Sequence, residues 1–319
     1  MERKKLIAFG ALFAILLMVG SGVLVGFSYL FSGQEQNPSR DVRELSLNAY
    51  KNSSVNMDFN GINDVVKYLP SGVVYAQYVH DPNNINDVFN NTTGINSALV
   101  AYMYYYSPTE DGSYGISTDS VYFYEPADIS KAKVTGRYLG ESNGYALLAL
   151  EDGRYMIPGN PTIVGSQYAV GNILSILGGS AGADTYNVIA SHIPEKNSDY
   201  EYLAMAGSTA GYEQYFESGG TSDNAYALDL RFLNMSDDLR SKMETTLASS
   251  KDGVRYICES SDDGVFSITA YTVDSTAANT ASTTIGGILE EYSEEQSASA
   301  GQAESGETSA SGNSTLAVA

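Results

Sequence analysis

Ser180 lies in Gly178-Gly179-Ser180-Ala181-Gly182, the Gly-x-Ser-x-Gly spacing of a hydrolase nucleophile elbow. That chemistry needs a strand before the serine and a helix after it, so that the hydroxyl stands on a strained turn. Here the apolar period over Ser166–Leu177 predicts a helix ahead of Ser180, with Gly178-Gly179 as its C-terminal stop. Asp184 and His192 follow closely, whereas the elbow's fold sets its acid and histidine far downstream. The segment reads as a glycine-rich helix end. His80 and His192 are the only histidines, and a metal site from them requires a fold that brings them together. Asp81-Pro82-Asn83-Asn84-Ile85-Asn86-Asp87 spaces oxygen donors like the start of a calcium loop. It then offers Ile85, Asn86 and Thr92 where an EF-hand needs an oxygen donor, glycine and glutamate. No cofactor is therefore assigned, although the acidic surface leaves room for calcium in an irregular loop. The single cysteine, Cys258, cannot form an internal disulfide. It sits in the strand-like Val254-Arg255-Tyr256-Ile257-Cys258, where a buried, inert thiol is expected.

Glycosylation acceptors can be read at Asn52, Asn90, Asn91, Asn234 and Asn313. A chain this rich in Asn, Ser and Thr carries about four by chance, so the motif alone is permissive. The run Tyr102-Met103-Tyr104-Tyr105-Tyr106, with Tyr122-Phe123-Tyr124 beyond it, offers an aromatic surface for a saccharide or protein partner. A half-buried strand with rings on both faces accounts for it equally well. No phosphate-cradling loop, paired catalytic carboxylates or Cys/His pairing can be named, so no catalytic, cofactor-binding or metal-ligating residue is assigned.

The elements that must position these residues are legible in part. Alternation predicts strands over residues 97–106 and 224–233. Asn143-Gly144 predicts a hairpin between Arg137–Leu139 and Tyr145–Leu150, and Asp262-Asp263-Gly264 a second between Val254–Glu259 and Val265–Val273. A helix over Asp237–Ser249 is marked by Ser236 as its cap, by acidic first-turn residues, and by the stripe Leu239, Met243, Leu247. A further helix is predicted over Thr284–Tyr292.

Segments also pair along the chain. Tyr68-Leu69-Pro70 answers His192-Ile193-Pro194, and Phe89 answers Phe216. Arg137–Ser142 answers Arg255–Ser260, and Val170–Leu174 answers Ile285–Leu289. Their order and near-constant spacing predict an internal duplication. The expected fold is α+β: an N-terminal transmembrane helix, then two similar units with antiparallel sheet, residues 57–182 and 183–292.

The ends of the chain set the location. Arg3, Lys4 and Lys5 precede Leu6–Phe31, which has no charged side chain. At ~1.5 Å per residue a helix of that length crosses a ~30 Å hydrocarbon core. Basic residues stay on the cytoplasmic side, so the segment (residues 1–31 with its basic start) predicts a single-pass anchor with the body outside the cell membrane. Apolar sequence resumes after Gly20-Ser21-Gly22, which argues against cleavage there. A polar linker follows over residues 32–56, and residues 293–319, built of Ser, Ala, Gly, Glu and Thr, read as a disordered acidic tail. With 17 basic and 38 acidic side chains the net charge is −21, which repels nucleic acid and anionic lipid headgroups.

The basic start, the uncleaved anchor, the acidic Tyr- and Ser-rich body and the simple tail resemble membrane-anchored exported proteins of methanogenic archaea. That resemblance implies a cell-surface setting and carries over no functional residue. The expected role is non-enzymatic binding or structure at the cell envelope, with an envelope protein or a saccharide as partner. The alternatives are an exported hydrolase-like enzyme whose site is assembled from residues distant in sequence, and an adhesion or surface-layer component.

Overall fold

The computed structural model describes residues 42–82, 88–108, 114–182, 184–194, 198–206, 210–222, 225–250, 253–273 and 275–307. The chain divides after Ala204 into two compact units.

The first unit runs through β1 (Arg43–Ser46), a 3-10 turn η1 (Leu47–Tyr50), β2 (Val55–Asn56), α1 (Ile62–Val65) and η2 (Val66–Tyr68). Five strands follow: β3 (Val73–His80), β4 (Ile95–Pro108), β5 (Tyr114–Pro126), β6 (Lys133–Ser142) and β7 (Tyr145–Leu150). Then come β8 (Tyr155–Ile157), β9 (Gly159–Asn160), β10 (Thr162–Gly165), α2 (Gln167–Leu177), η3 (Asp184–Tyr186), α3 (Asn187–Ala190) and β11 (Tyr200–Met205). Nine of these strands pair antiparallel in the order β1-β6-β7-β8-β10-β5-β4-β3-β11, and β2 pairs with β9 in parallel. Strand alternation sends Leu99, Ala101 and Met103 of β4 into the core beside Ala76 and Tyr78 of β3 and Phe123 of β5. The short helices supply the other half of that core, through Ile62, Val65, Val170, Ile173, Leu174 and Ile189, all buried.

Two side chains fix α2. Ser166 is its N-cap, accepting from Ala169 N and donating to the Asp119 carboxylate of β5. Its C-terminal carbonyl of Leu174 accepts from Asn143 Nδ2 at 2.9 Å. Asn143 belongs to the β6–β7 turn, where it and Gly144 take positive φ of 55° and 83°, the conformation that a two-residue hairpin of this twist requires.

The second unit holds β12 (Gln214–Ser222), β13 (Ala225–Leu233), α4 (Asp237–Ser249), β14 (Arg255–Ser260), β15 (Val265–Thr272) and α5 (Ser275–Glu307). Its strand order is β12-β13-β15-β14, antiparallel throughout. The predicted α4 forms with Ser236 accepting from Leu239 N, and Leu239, Met243 and Leu247 are buried as their spacing requires. The helix predicted over Thr284–Tyr292 is the middle of the longer α5, whose Ala281, Ile285, Ile288 and Tyr292 form one buried stripe. Residues 293–307 continue that helix, and residues 308–319 lie outside the described residues.

The expected duplicated α+β fold is corrected by the strand pairing. Thirteen of the fifteen strands belong to antiparallel sheet, which makes the chain mostly β, with nine such strands in one unit and four in the other. Matched segments also have unlike settings. Phe89 lies in a turn, whereas Phe216 lies within β12. Arg137–Ser142 and Arg255–Ser260 each pair with one neighbour, β7 and β15, but the first is the end of the longer β6, which also pairs with β1, and the second is the whole of β14. Order within a sheet is set by pairing between segments far apart in sequence. The anchor segment Leu6–Phe31 lies outside the described residues, and no helix among the described residues is long and apolar enough to cross a membrane.

A tyrosine-lined sheet face as the candidate functional site

Across β11, β3, β4 and β5 the pairing register aligns residues on the face turned away from α1, α2 and α3; its β5 end is covered, where Tyr122 packs against the cluster that includes Leu47 of η1. Tyr202 stands opposite Gln77 and Gln77 opposite Val100, with Tyr122 next in the row. The neighbouring row runs Ala204, Tyr75, Tyr102, Ser120, and the next along β4 and β5 pairs Tyr104 with Thr118 and Tyr106 with Ile116. Tyr200 and Val79 lie in the row on the other side. None of these side chains carries a charge, on a chain of net charge −21. Tyr102 is 46% exposed and Ile116 49% exposed, and the rest are half-buried or exposed.

The rings support one another. Tyr75 stacks on Tyr202 at 6.2 Å between centroids and lies 5.9 Å from Tyr102, and Tyr200 lies 5.1 Å from Tyr202. Their polar tips are linked: Tyr75 Oη donates to Gln77 Oε1 at 3.2 Å, and Gln77 Nε2 donates to Tyr202 Oη at 3.4 Å. Tyr75 and Tyr202 turn their ring faces to each other, whereas Tyr102 and Tyr200 are tilted against them by 38° and 48°. Such amphipathic rings are enriched at protein interfaces because they bury much area at small conformational cost. The Tyr run thus divides by alternation: Tyr102, Tyr104 and Tyr106 lie on this face, and Tyr105 goes to the helix side, stacked on Tyr168 of α2 at 4.1 Å. Burial raises the Tyr168 hydroxyl pKa.

On the helix side of the same strands lies a polar row that the sequence did not announce. Glu201 of β11 is 3% exposed and accepts from Ile62 N at 2.6 Å. A Cβ on Gly61 would meet its carboxylate at 2.8 Å, so glycine lets the two approach. Next to it, burial raises the Tyr78 hydroxyl pKa; the hydrogen bond to Ser97 opposes this, and the carboxylates of Glu201, Glu125 and Asp64 add to it. Ser97 Oγ in turn donates to Glu125 Oε2 at 2.6 Å. The one sequence signal was alternation: in Tyr200-Glu201-Tyr202-Leu203 the acid shares a parity with buried Leu203. Tyr78 and Ser97 are almost wholly buried with Glu201. This row therefore ties α1 to the sheet.

The sequence-read candidates are not brought together. Gly178 is the C-cap of α2, so a helix precedes Ser180 as expected and the elbow geometry is not formed. Asp184 opens η3, and His192 follows α3 in a turn. His80 ends β3, exposed, with its N–H donating to Asp199 O. Among the described residues no group of three His, Cys, Asp or Glu side chains could hold a metal ion. Asp81 and Pro82 are described, while residues 83–87 of the suggested calcium loop lie outside the described residues. Cys258 is half-buried in β14, and burial, helped by Glu244, pushes its thiol up to about 11.

Four glycosylation acceptors are described, and all are exposed in turns: Asn52, Asn90, Asn91 and Asn234. Asn90, Asn91 and Asn234 take φ of 52°, 57° and 52°, which asparagine tolerates better than most residues. Asn313 lies outside the described residues.

Fold and site together define a mostly antiparallel β protein with a tyrosine-lined sheet face. No family model matches the chain, and no curated protein matches it. Among solved structures, one described as crystal form III of TP0453 is similar at 11% identity, over 69% of this chain and 97% of that one. Its TM-score is 0.35, a level of likeness that carries no argument.

Proposed function

We propose that the protein is a non-enzymatic binding protein of the cell envelope. The apolar segment Leu6–Phe31 holds it at the membrane, its body faces the extracytoplasmic side, and the tyrosine face of the first unit takes another envelope protein. The observation that carries this reading is a sheet face over β11, β3 and β4 built of Tyr, Gln, Val and Ala on a strongly acidic chain; the Arg154–Asp152 pair meets it only at its β5 end, beside Tyr122. Association over the β11, β3 and β4 part of the face desolvates no ion, so it escapes the main penalty that acidic surfaces impose on contact. The stacking of Tyr75 on Tyr202 closes those two ring faces, which favours a protein surface over a sugar ring there, since a sugar seeks an open aromatic face. A second copy of the same chain is opposed by the like charge of both bodies.

A photocrosslinking side chain at position 102 of the full-length protein, in intact cells, tests this reading. The expected result is a defined protein adduct that persists at high salt, with none from the same probe at Val273, which is 84% exposed in the second unit. Equal labelling from both positions, or none from position 102, would sink it.

A further inference from the structure

We infer that, on the folded chain, Asn52 and Asn91 carry N-linked glycans and Asn90 and Asn234 do not; this rests on the extracytoplasmic reading above. All four acceptors fit the same three-residue pattern and all are exposed, so neither sequence nor exposure separates them. Hydrogen bonding does. In the transfer, the amide Nδ2 forms a bond to the anomeric carbon of a lipid-phosphate-activated oligosaccharide. The bond from that carbon to the phosphate oxygen breaks, the lipid phosphate leaves, and the amide gives up one proton. An Nδ2 already committed inside the fold must first be released.

Asn90 Nδ2 donates to Thr135 Oγ1 at 3.1 Å, pinning its turn to β6. The hydroxyl two residues on, Thr92 Oγ1, donates to Phe89 O and accepts from Lys133 N. Asn234 Nδ2 donates to Glu213 Oε2 at 2.9 Å. Its companion Ser236 caps α4 and lies 3.0 Å from Tyr292 Oη, so that acceptor is built into the joint between α4 and α5. The companion hydroxyls of Asn52 and Asn91 are engaged as well, Ser54 Oγ donating to Lys51 O and Thr93 Oγ1 accepting from Asp128 N. The amide alone separates the four: the amides of Asn52 and Asn91 have no hydrogen-bond partner among the described residues. Their turns also adjoin one apolar cluster, in which Tyr50 and Val88 pack against Phe89 and Leu47. Two glycans would then leave from the same end of the first unit.

The test uses full-length protein purified from membranes of the organism that makes it, with surface biotinylation of intact cells run in parallel. The expected result is a biotinylated protein whose intact mass exceeds that of the sequence. The excess drops stepwise in Asn52→Gln and in Asn91→Gly, a change that keeps the positive φ. It is unchanged in Asn90→Gly and Asn234→Gly. A biotinylated chain of unmodified mass, or an excess lost with Asn90 or Asn234, overturns the glycan assignment and leaves the envelope reading standing. A chain that is neither biotinylated nor heavier overturns both.

Discussion

Cys258 illustrates how position within the sheet fixes the chemistry of a side chain. Half-buried on β14 and near Glu244, its thiol keeps the proton until about pH 11, against an ordinary value of 9.0. The folded state therefore favours the protonated form. That preference contributes stability fully below pH 9.0 and loses it as pH rises from 9.0 toward 11. In the folded protein, iodoacetamide is expected to leave Cys258 unreacted at pH 8, with labelling that climbs steeply only toward pH 11. Unfolded in urea at pH 8, the same thiol should react at an ordinary rate. Rapid labelling of the folded chain at pH 8 would contradict the placement. Glu201 is the counterpart case of a carboxylate held in the core by a backbone N–H. The inert thiol was legible in the strand pattern around it. The buried carboxylate was legible only as a parity, because its partner Ile62 is distant in sequence.

Among the elements, the β6–β7 hairpin and α2 depend on one shared residue. Asn143 supplies both the left-handed turn and the amide that closes the Leu174 carbonyl. Replacing Asn143 by Ala should cost about 1–2 kcal/mol, from the strained φ together with the lost hydrogen bond. Replacing it by Gly should cost less, because glycine keeps the φ and loses only the bond. Urea unfolding of both variants checks this, and equal losses would show that the turn carries no strain. The turn itself was readable from Asn143-Gly144, as were Ser236 and the Leu239, Met243, Leu247 stripe of α4, since each signal lies within a few residues. The second role of Asn143 was not readable, because α2 lies far along the chain. The division of the Tyr run into an open face and a helix side followed from alternation. Which parity stayed uncovered depended on where α1, α2 and α3 packed.

For the whole molecule, charge dominates. With 38 acidic against 17 basic side chains, like charges crowd every folded conformation, and dilute buffer leaves them unscreened. Raising ionic strength from ~0.01 M to ~0.15 M shortens the Debye length from about 30 Å to about 8 Å. The melting temperature should rise over that interval with sodium chloride in the presence of a chelator. A flat or falling melting temperature would mean that the acidic groups lie too far apart to repel.

The amino-acid sequence by itself determined what is local. It specified the two hairpin turns, the caps and stripe of α4, the acidic balance, and the charge-free run at the N-terminus. These depend on residues a few positions apart, whose propensities act before any tertiary contact forms. Only the tertiary structure decided the sheet order, and with it the replacement of two equal α+β units by nine antiparallel strands in one and four in the other. It also decided which amides of the four described acceptors stay free, and that Tyr75, Tyr102 and Tyr202 meet on one surface. Those outcomes rest on pairing between strands far apart in sequence, where a hydrophobic pattern permits several partners and the packing of the whole chain selects one.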